Sequence, residues 1–126
     1  MSRMRHLGDG ELEIMQAVWD AGEPVGSGYI HQRLRGSRDW ALPAVVTALN
    51  RLVDKGFLTC EKRGRVNLYS QRISREAYQA AEGRSLLDRL YGGSFKGLAA
   101  ALVDGDSVTA EELRELRDYL DQLEEK

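Results

Sequence analysis

Residues 40–69 read WALPAVVTALNRLVDKGFLTCEKRGRVNLY, an apolar stripe at helical spacing that runs directly into two short alternating segments. Val45, Ala48, Leu49 and Leu52 fall at i, i+3, i+4 and i+7, which puts them on one buried face of a helix. Pro43 suits the first turn, where a missing N–H costs nothing, and Lys55-Gly56 reads as a cationic helix end followed by a terminating glycine. Residues 57–61 and 66–70 are strand-like, and Lys62-Arg63-Gly64-Arg65 between them forms the tip of a hairpin. Few folds join a one-faced helix directly to a cationic hairpin. A winged helix-turn-helix does so, with the helix in the DNA major groove and the wing on backbone phosphates. The fold class expected is therefore mostly α with a small β-hairpin wing (α+β).

The 126 residues suffice for one domain, or for a small domain with an appendage. No apolar run approaches the ~20 residues of a membrane helix, and residues 1–11 lack the apolar centre of a secretion signal, so a cytoplasmic protein without a membrane partner is expected. Cys60 is the one cysteine, which excludes an internal disulfide and fits a reducing compartment. It alternates with Leu58 and is expected as a small buried apolar side chain, a redox or metal-sensing thiol being the alternative. The formal charge of −2 hides an asymmetry. Residues 1–75 carry 12 Lys and Arg against 8 Asp and Glu, whereas residues 76–126 carry 6 against 12. A basic front and an acidic rear imply separate tasks, with DNA affinity arising from where the cations sit and from a dimer that doubles them.

Ahead of the central segment, a first helix is expected from an Asp9 cap to about Asp20, with Leu12, Met15, Val18 and Trp19 inward. A second is expected over about residues 27–35, with Ile30 and Leu34 inward, and Trp40 should pack beneath the third. Behind it the chain is helical. Ser74 can cap a helix to about Tyr91 with Tyr78, Ala81, Leu86 and Leu90 on or near one face, and Ser94 opens another carrying Phe95, Leu98, Ala99, Leu102 and Val103. Thr109-Ala110-Glu111-Glu112 is a capping box for the last helix. Its Leu113, Leu116, Leu120 and Leu123 form a heptad-like seam suited to a partner subunit, or alternatively to an intramolecular core. The division expected is a winged helix-turn-helix over residues 1–73 and a helical dimerisation domain over residues 74–126. The dimerisation set is Phe95, Leu98, Leu102, Leu113, Leu116, Leu120 and Leu123.

These segments together resemble the penicillinase-repressor family of bacterial regulators, the BlaI/MecI type, with its copper-responsive relatives. The similarity is carried by residues 7–15 (LGDGELEIM), by Val18-Trp19, by residues 40–56 with their RLVDKG end, by residues 90–94 (LYGGS) and by residues 111–116 (EELREL), in order along nearly the whole chain. The resemblance implies a homodimeric repressor that binds an inverted-repeat operator through two winged-helix domains and dimerises through its C-terminal helices. The sequence departs from the family at Ala44 and Val46, where the relatives carry a threonine and a polar side chain, so a different operator sequence is implied. Ala101-Leu102 replaces the Asn-Phe pair cut during antibiotic induction, and no cysteine follows Cys60 to match the copper-responsive relatives.

The residues expected to touch DNA are Pro43, Ala44, Val46, Thr47, Asn50 and Arg51 on the third helix and Lys62, Arg63 and Arg65 on the wing. Thr47 and Asn50 can reach base edges, asparagine pairing well with adenine, while Ala44 and Val46 can meet thymine methyls. Arg51 is expected on a phosphate, or else paired with Asp54 or Glu61. Catalysis is not expected. His6 and His31 lie in different segments with no paired carboxylate or cysteine spacing in the sequence, and neither Gly26-Ser27-Gly28 nor Gly92-Gly93 follows a strand as a phosphate loop does. No cofactor, metal or small-molecule substrate is indicated. The rival readings are a winged helix that docks a protein, and a regulator of the multiple-antibiotic-resistance type, whose longer terminal helices are missing from the pattern.

Overall fold

A computed structural model describes residues 5–125. Among the described residues the elements run α1 (Asp9–Ala21), α2 (Ser27–Arg33), α3 (Leu42–Asp54), β1 (Leu58–Arg63), β2 (Val66–Gln71), α4 (Arg75–Tyr91), α5 (Phe95–Asp104) and α6 (Ala110–Glu124). The chain forms two compact units that divide between Glu82 and Gly83, inside the continuous helix α4.

In the first unit α1, α2 and α3 close on one core. Val45, Ala48, Leu49 and Leu52 of α3 are all buried, as the spacing requires, against Ile14, Met15, Val18 and Trp19 of α1 and Ile30 of α2. Each fully buried aliphatic side chain contributes on the order of 1.5–3 kcal/mol. Pro43 sits in the first turn of α3, and Gly56 takes φ +86° just past its Lys55 cap, a left-handed geometry that terminates the helix. Trp40 packs on this core with its ring over Gly10, where an added Cβ would come within 3.1 Å of the ring.

β1 and β2 pair antiparallel from Leu58↔Gln71 to Arg63↔Val66, leaving Gly64-Arg65 as a two-residue loop. Gly64 has φ +62° at the first loop position, which suits glycine and the II′ type of hairpin turn. The strands are therefore longer than the alternation suggested, and Lys62 and Arg63 belong to the ladder and not to the loop. Val25, in the α1–α2 connection, exchanges backbone hydrogen bonds of 3.0 and 2.7 Å with Tyr69, which ties the wing's root to the helices.

Four expectations need correction. Gly8, not Asp9, caps α1, and its N–H donates to Glu11 Oε1 at 3.4 Å. α2 ends at Arg33, with Leu34 as its buried C-cap and Gly36 at φ +92° in the turn that follows. Cys60 is exposed: the hairpin leaves the helical core after Leu58, so alternation persists along β1 with nothing to bury its later residues. On α4, Leu86 and Leu90 are exposed and Leu87 is buried instead. The two ends of α4 belong to different units, Tyr78 to the first and Leu87 to the second, so no single stripe describes the helix.

Near its start, α4 is held by Ser74, whose Oγ accepts from the Ala77 N–H at 3.1 Å, and by Tyr78. The Tyr78 hydroxyl accepts from the Leu7 N–H at 2.9 Å and donates to Glu82 at 2.6 Å. Burial, reinforced by the Glu82 carboxylate, pushes the phenol up to about 12.

In the second unit the caps are those the sequence encodes. Ser94 Oγ accepts from the Gly97 N–H at 2.9 Å, and Thr109 and Glu112 form the reciprocal capping box at 3.1 and 2.9 Å. The Thr109 N–H and hydroxyl hold the Glu112 carboxyl below the usual range. Neither α5 nor α6 contains a buried residue.

Candidate nucleic-acid interface

With its apolar stripe buried, α3 turns Pro43, Ala44, Thr47, Asn50 and Arg51 outward, and Val46 is half-buried at the edge of that face. Two ties hold the helix in place. Lys55 Nζ donates to both Glu11 oxygens at 2.8 Å, joining the end of α3 to the start of α1. Burial works against the Glu11 charge, but Lys55, the Gly8 N–H and Arg51 outweigh it and hold the carboxyl below its ordinary value. At the other end, the α2–α3 turn is fixed to α1. Arg38 Nε and Ser37 Oγ donate to Glu13 at 2.6 and 2.9 Å, and His31 Nε2 donates to the Trp40 carbonyl at 2.9 Å. Here too burial opposes the Glu13 charge and Arg38 and Ser37 more than offset it.

The outward side chains differ in what they offer. Thr47 Oγ1 donates to the Pro43 carbonyl at 3.0 Å, which leaves its oxygen as an outward acceptor. Asn50 Oδ1 accepts from the Tyr69 hydroxyl at 3.2 Å, a link between helix and wing that no local pattern announces. Ala44 and Val46 offer only apolar surface. Among the described residues Arg51 forms no ion pair, neither with Asp54 nor with Glu61; Glu61 lies 3.7 Å from Arg63 instead. Both members of that pair are well exposed, so its energy is near the ~0–1 kcal/mol of surface pairs, and Arg63 remains available to another anion. Lys62 and Arg65 are exposed and, among the described residues, without an ion pair.

Helix and wing meet along a cleft of about 290 Å³ in which Val46 of α3, Gly26, Ser27 and Gly28 at the start of α2, and Arg65, Val66, Asn67 and Tyr69 of the wing come together. Sequence spacing had separated Val46 from Arg65. The Val25–Tyr69 bridge brings them to one cleft, and a β-branched residue between Pro24 and Gly26 was the only local hint of it.

The second unit gathers Phe95, Leu98, Leu102, Leu113 and Leu116 around an apolar cleft of about 130 Å³ between α5 and α6. Leu120 and Leu123 follow along α6. Phe95, Leu102, Leu113, Leu120 and Leu123 are exposed, and Leu98 and Leu116 half-buried. Among the described residues no group of His, Cys, Asp or Glu is placed to hold a metal ion, and no helix is long and apolar enough to cross a membrane.

The three-helix core, the hairpin and the capped C-terminal helices agree with a family match over residues 7–122, to the penicillinase repressors. The chain belongs to the penicillinase repressor family. That is a family of transcriptional repressors and not of enzymes. The penicillinase repressor of Bacillus licheniformis is 28% identical over 97% of this chain and 94% of its own length. The methicillin resistance regulatory protein MecI of Staphylococcus aureus is 22% identical over 92% of this chain and 94% of its own. The solution structure of monomeric Bacillus licheniformis BlaI in complex with the blaP half-operator is 29% identical, covers 62% of this chain and 94% of that one, and superposes with a TM-score of 0.52.

Proposed function

We propose that this chain is a DNA-binding transcriptional repressor that acts in the cytoplasm as a homodimer on an inverted-repeat operator. The observation that carries the reading is the pairing of an exposed outer face of α3 with a basic wing tied to the helices by the Val25–Tyr69 bridge, in a member of a repressor family. Pro43, Ala44, Val46, Thr47, Asn50 and Arg51 would line the major groove, Arg51 on a phosphate at its edge. Lys62, Arg63 and Arg65 would follow the backbone of the duplex. Residues 1–73 would bind DNA and residues 74–126 would dimerise, α4 leading from one task to the other. The apolar side chains of α5 and α6 support the second task, since Phe95, Leu102, Leu113, Leu120 and Leu123 are exposed, Leu98 and Leu116 are only half-buried, and none of the seven is fully buried. DNA affinity is then linked to dimerisation, and an event that parts the C-terminal helices releases the operator.

Selection of bound sequences from a random duplex pool, at two salt concentrations, tests the reading. The expected result is an enriched inverted repeat with half-sites about one helical turn apart and affinity that falls steeply with salt. Weak binding without enrichment would reject it in favour of a winged helix that docks a protein.

A further inference from the structure

Asn50 faces outward from α3, yet its amide does not offer both polar atoms to a base. The Tyr69 hydroxyl donates to Asn50 Oδ1 at 3.2 Å, and Tyr69 is itself only 2% exposed, so the oxygen is drawn toward the protein. An asparagine amide has one oxygen that accepts and one nitrogen that donates two hydrogens. The bond occupies one of the oxygen's two lone pairs and fixes the plane of the amide, so the NH₂ is the polar group left without a protein partner to direct it. The paired contact with adenine needs the oxygen to accept from N6 while the nitrogen donates to N7. A guanine edge needs donors only, because its N7 and O6 both accept.

The hydroxyl is well placed to hold this arrangement. Its residue is anchored through the backbone by Val25 and lies across the ladder from Cys60. Burial, and after it the neighbouring Cys60, push the Tyr69 phenol up, against a smaller opposing effect of the Asn67 side chain. One turn earlier, Thr47 has given its own hydrogen to Pro43 and offers an acceptor. The α3 face thus carries an acceptor at Thr47 and a donor at Asn50.

We infer that Tyr69 is a positioning residue that makes Asn50 a donor-only reader, so that this chain selects guanine and not adenine at the operator position facing Asn50. The inference rests on the DNA-binding reading above and gives the wing's buried tyrosine a part in specificity.

Sequence selection from a random duplex pool, run with the full chain and with Asn50→Ala, Tyr69→Phe and Asn50→Asp, tests it. The parent should enrich guanine at one position of each half-site, and Asn50→Ala should flatten that position. Tyr69→Phe removes the hydroxyl and keeps the ring. It should admit adenine there, moving the guanine-to-adenine ratio by about tenfold. Asn50→Asp exchanges the amide donor for an acceptor and should move the preference toward cytosine, whose N4 donates; if Tyr69→Phe folds poorly, the parent's own choice between guanine and adenine at the Asn50-dependent position carries the test. A parent that already selects adenine overturns the inference. So does a position that Asn50→Ala flattens and Tyr69→Phe leaves unchanged, or an operator that Asn50→Ala does not alter at all. Each of those results leaves the repressor reading standing. A parent that enriches nothing overturns that reading, and the inference with it.

Discussion

The two units of this chain treat apolar residues in opposite ways. The first buries Ile14, Met15, Ile30, Val45, Leu49, Leu52 and Phe57 almost completely, around a core that three helices and the root of a hairpin share. The second is richer in leucine, with nine in residues 83–126 against eight in residues 1–82, yet closes no comparable core: Leu90 is 63% exposed, Phe95 59%, Leu123 45% and Leu120 43%. Side-chain caps are in fact stronger in the second unit, where Ser94 and Thr109 cap α5 and α6, than in the first, where α1, α2 and α3 begin at Gly8, Gly26 and Ala41, so the contrast does not come from helix capping. The first unit has a hydrophobic core of its own. The second presents a surface whose apolar area has to be removed from water by something else.

The largest expected effect separates the units directly. Phe57→Ala removes a fully buried ring from the first unit and should cost about 3–5 kcal/mol, read as a lowered urea midpoint of the transition that reports Trp19. Leu120→Asp in the second unit should barely change that transition. It should instead weaken self-association by about 2 kcal/mol or more, as expected of a central seam residue, and sedimentation would show monomers at concentrations where the parent is dimeric. Tight operator binding by such a monomer would break the comparison, because the exposed leucines would then have no role in DNA binding.

Within the first unit the contrast is between wing and core. Arg63→Ala should leave stability within about 0.5 kcal/mol of the parent, since its pair with Glu61 is exposed. It should flatten the dependence of log K on log salt by about one unit on every duplex tested. A change in base preference at constant salt slope would place Arg63 on a base and not on the backbone.

The smallest effect concerns the tie between α1 and α3. Glu11 is held below its ordinary 4.5, so its contribution is present above that value and is lost as pH falls through the lowered one. Glu11→Gln should therefore lower stability by about 1 kcal/mol at pH 7, with parent and variant converging in acid. Equal stability of the two proteins at pH 7 would show that the Lys55 contact is incidental.

Much of the fold could be read directly from the residues. The four inward positions of α3, the glycine that ends it, the Ser74, Ser94 and Thr109 caps and the hairpin about Gly64 are all as the pattern requires, since each depends on neighbours a few residues away. The errors have a common cause. Cys60 alternates correctly but lies beyond the reach of the core, and α4 shows no single stripe because Tyr78 is buried in the first unit and Leu87 in the second. At the candidate interface, the outward face of α3 followed by elimination once its inner face was known. The Tyr69–Asn50 bond did not, because it joins residues 19 apart through a hydroxyl whose partner is chosen only when the wing folds against the helix.

The sequence by itself determined the helical period, the caps, the turn chemistry and the charge asymmetry between the two halves, because these are properties of short segments and their backbone dihedrals. Tertiary structure decided which alternating positions are covered, which leucines remain in water and which way the Asn50 amide faces. Burial and hydrogen-bond direction are set by groups distant in the chain, and those groups acquire positions only when the core around Phe57 and Tyr69 closes.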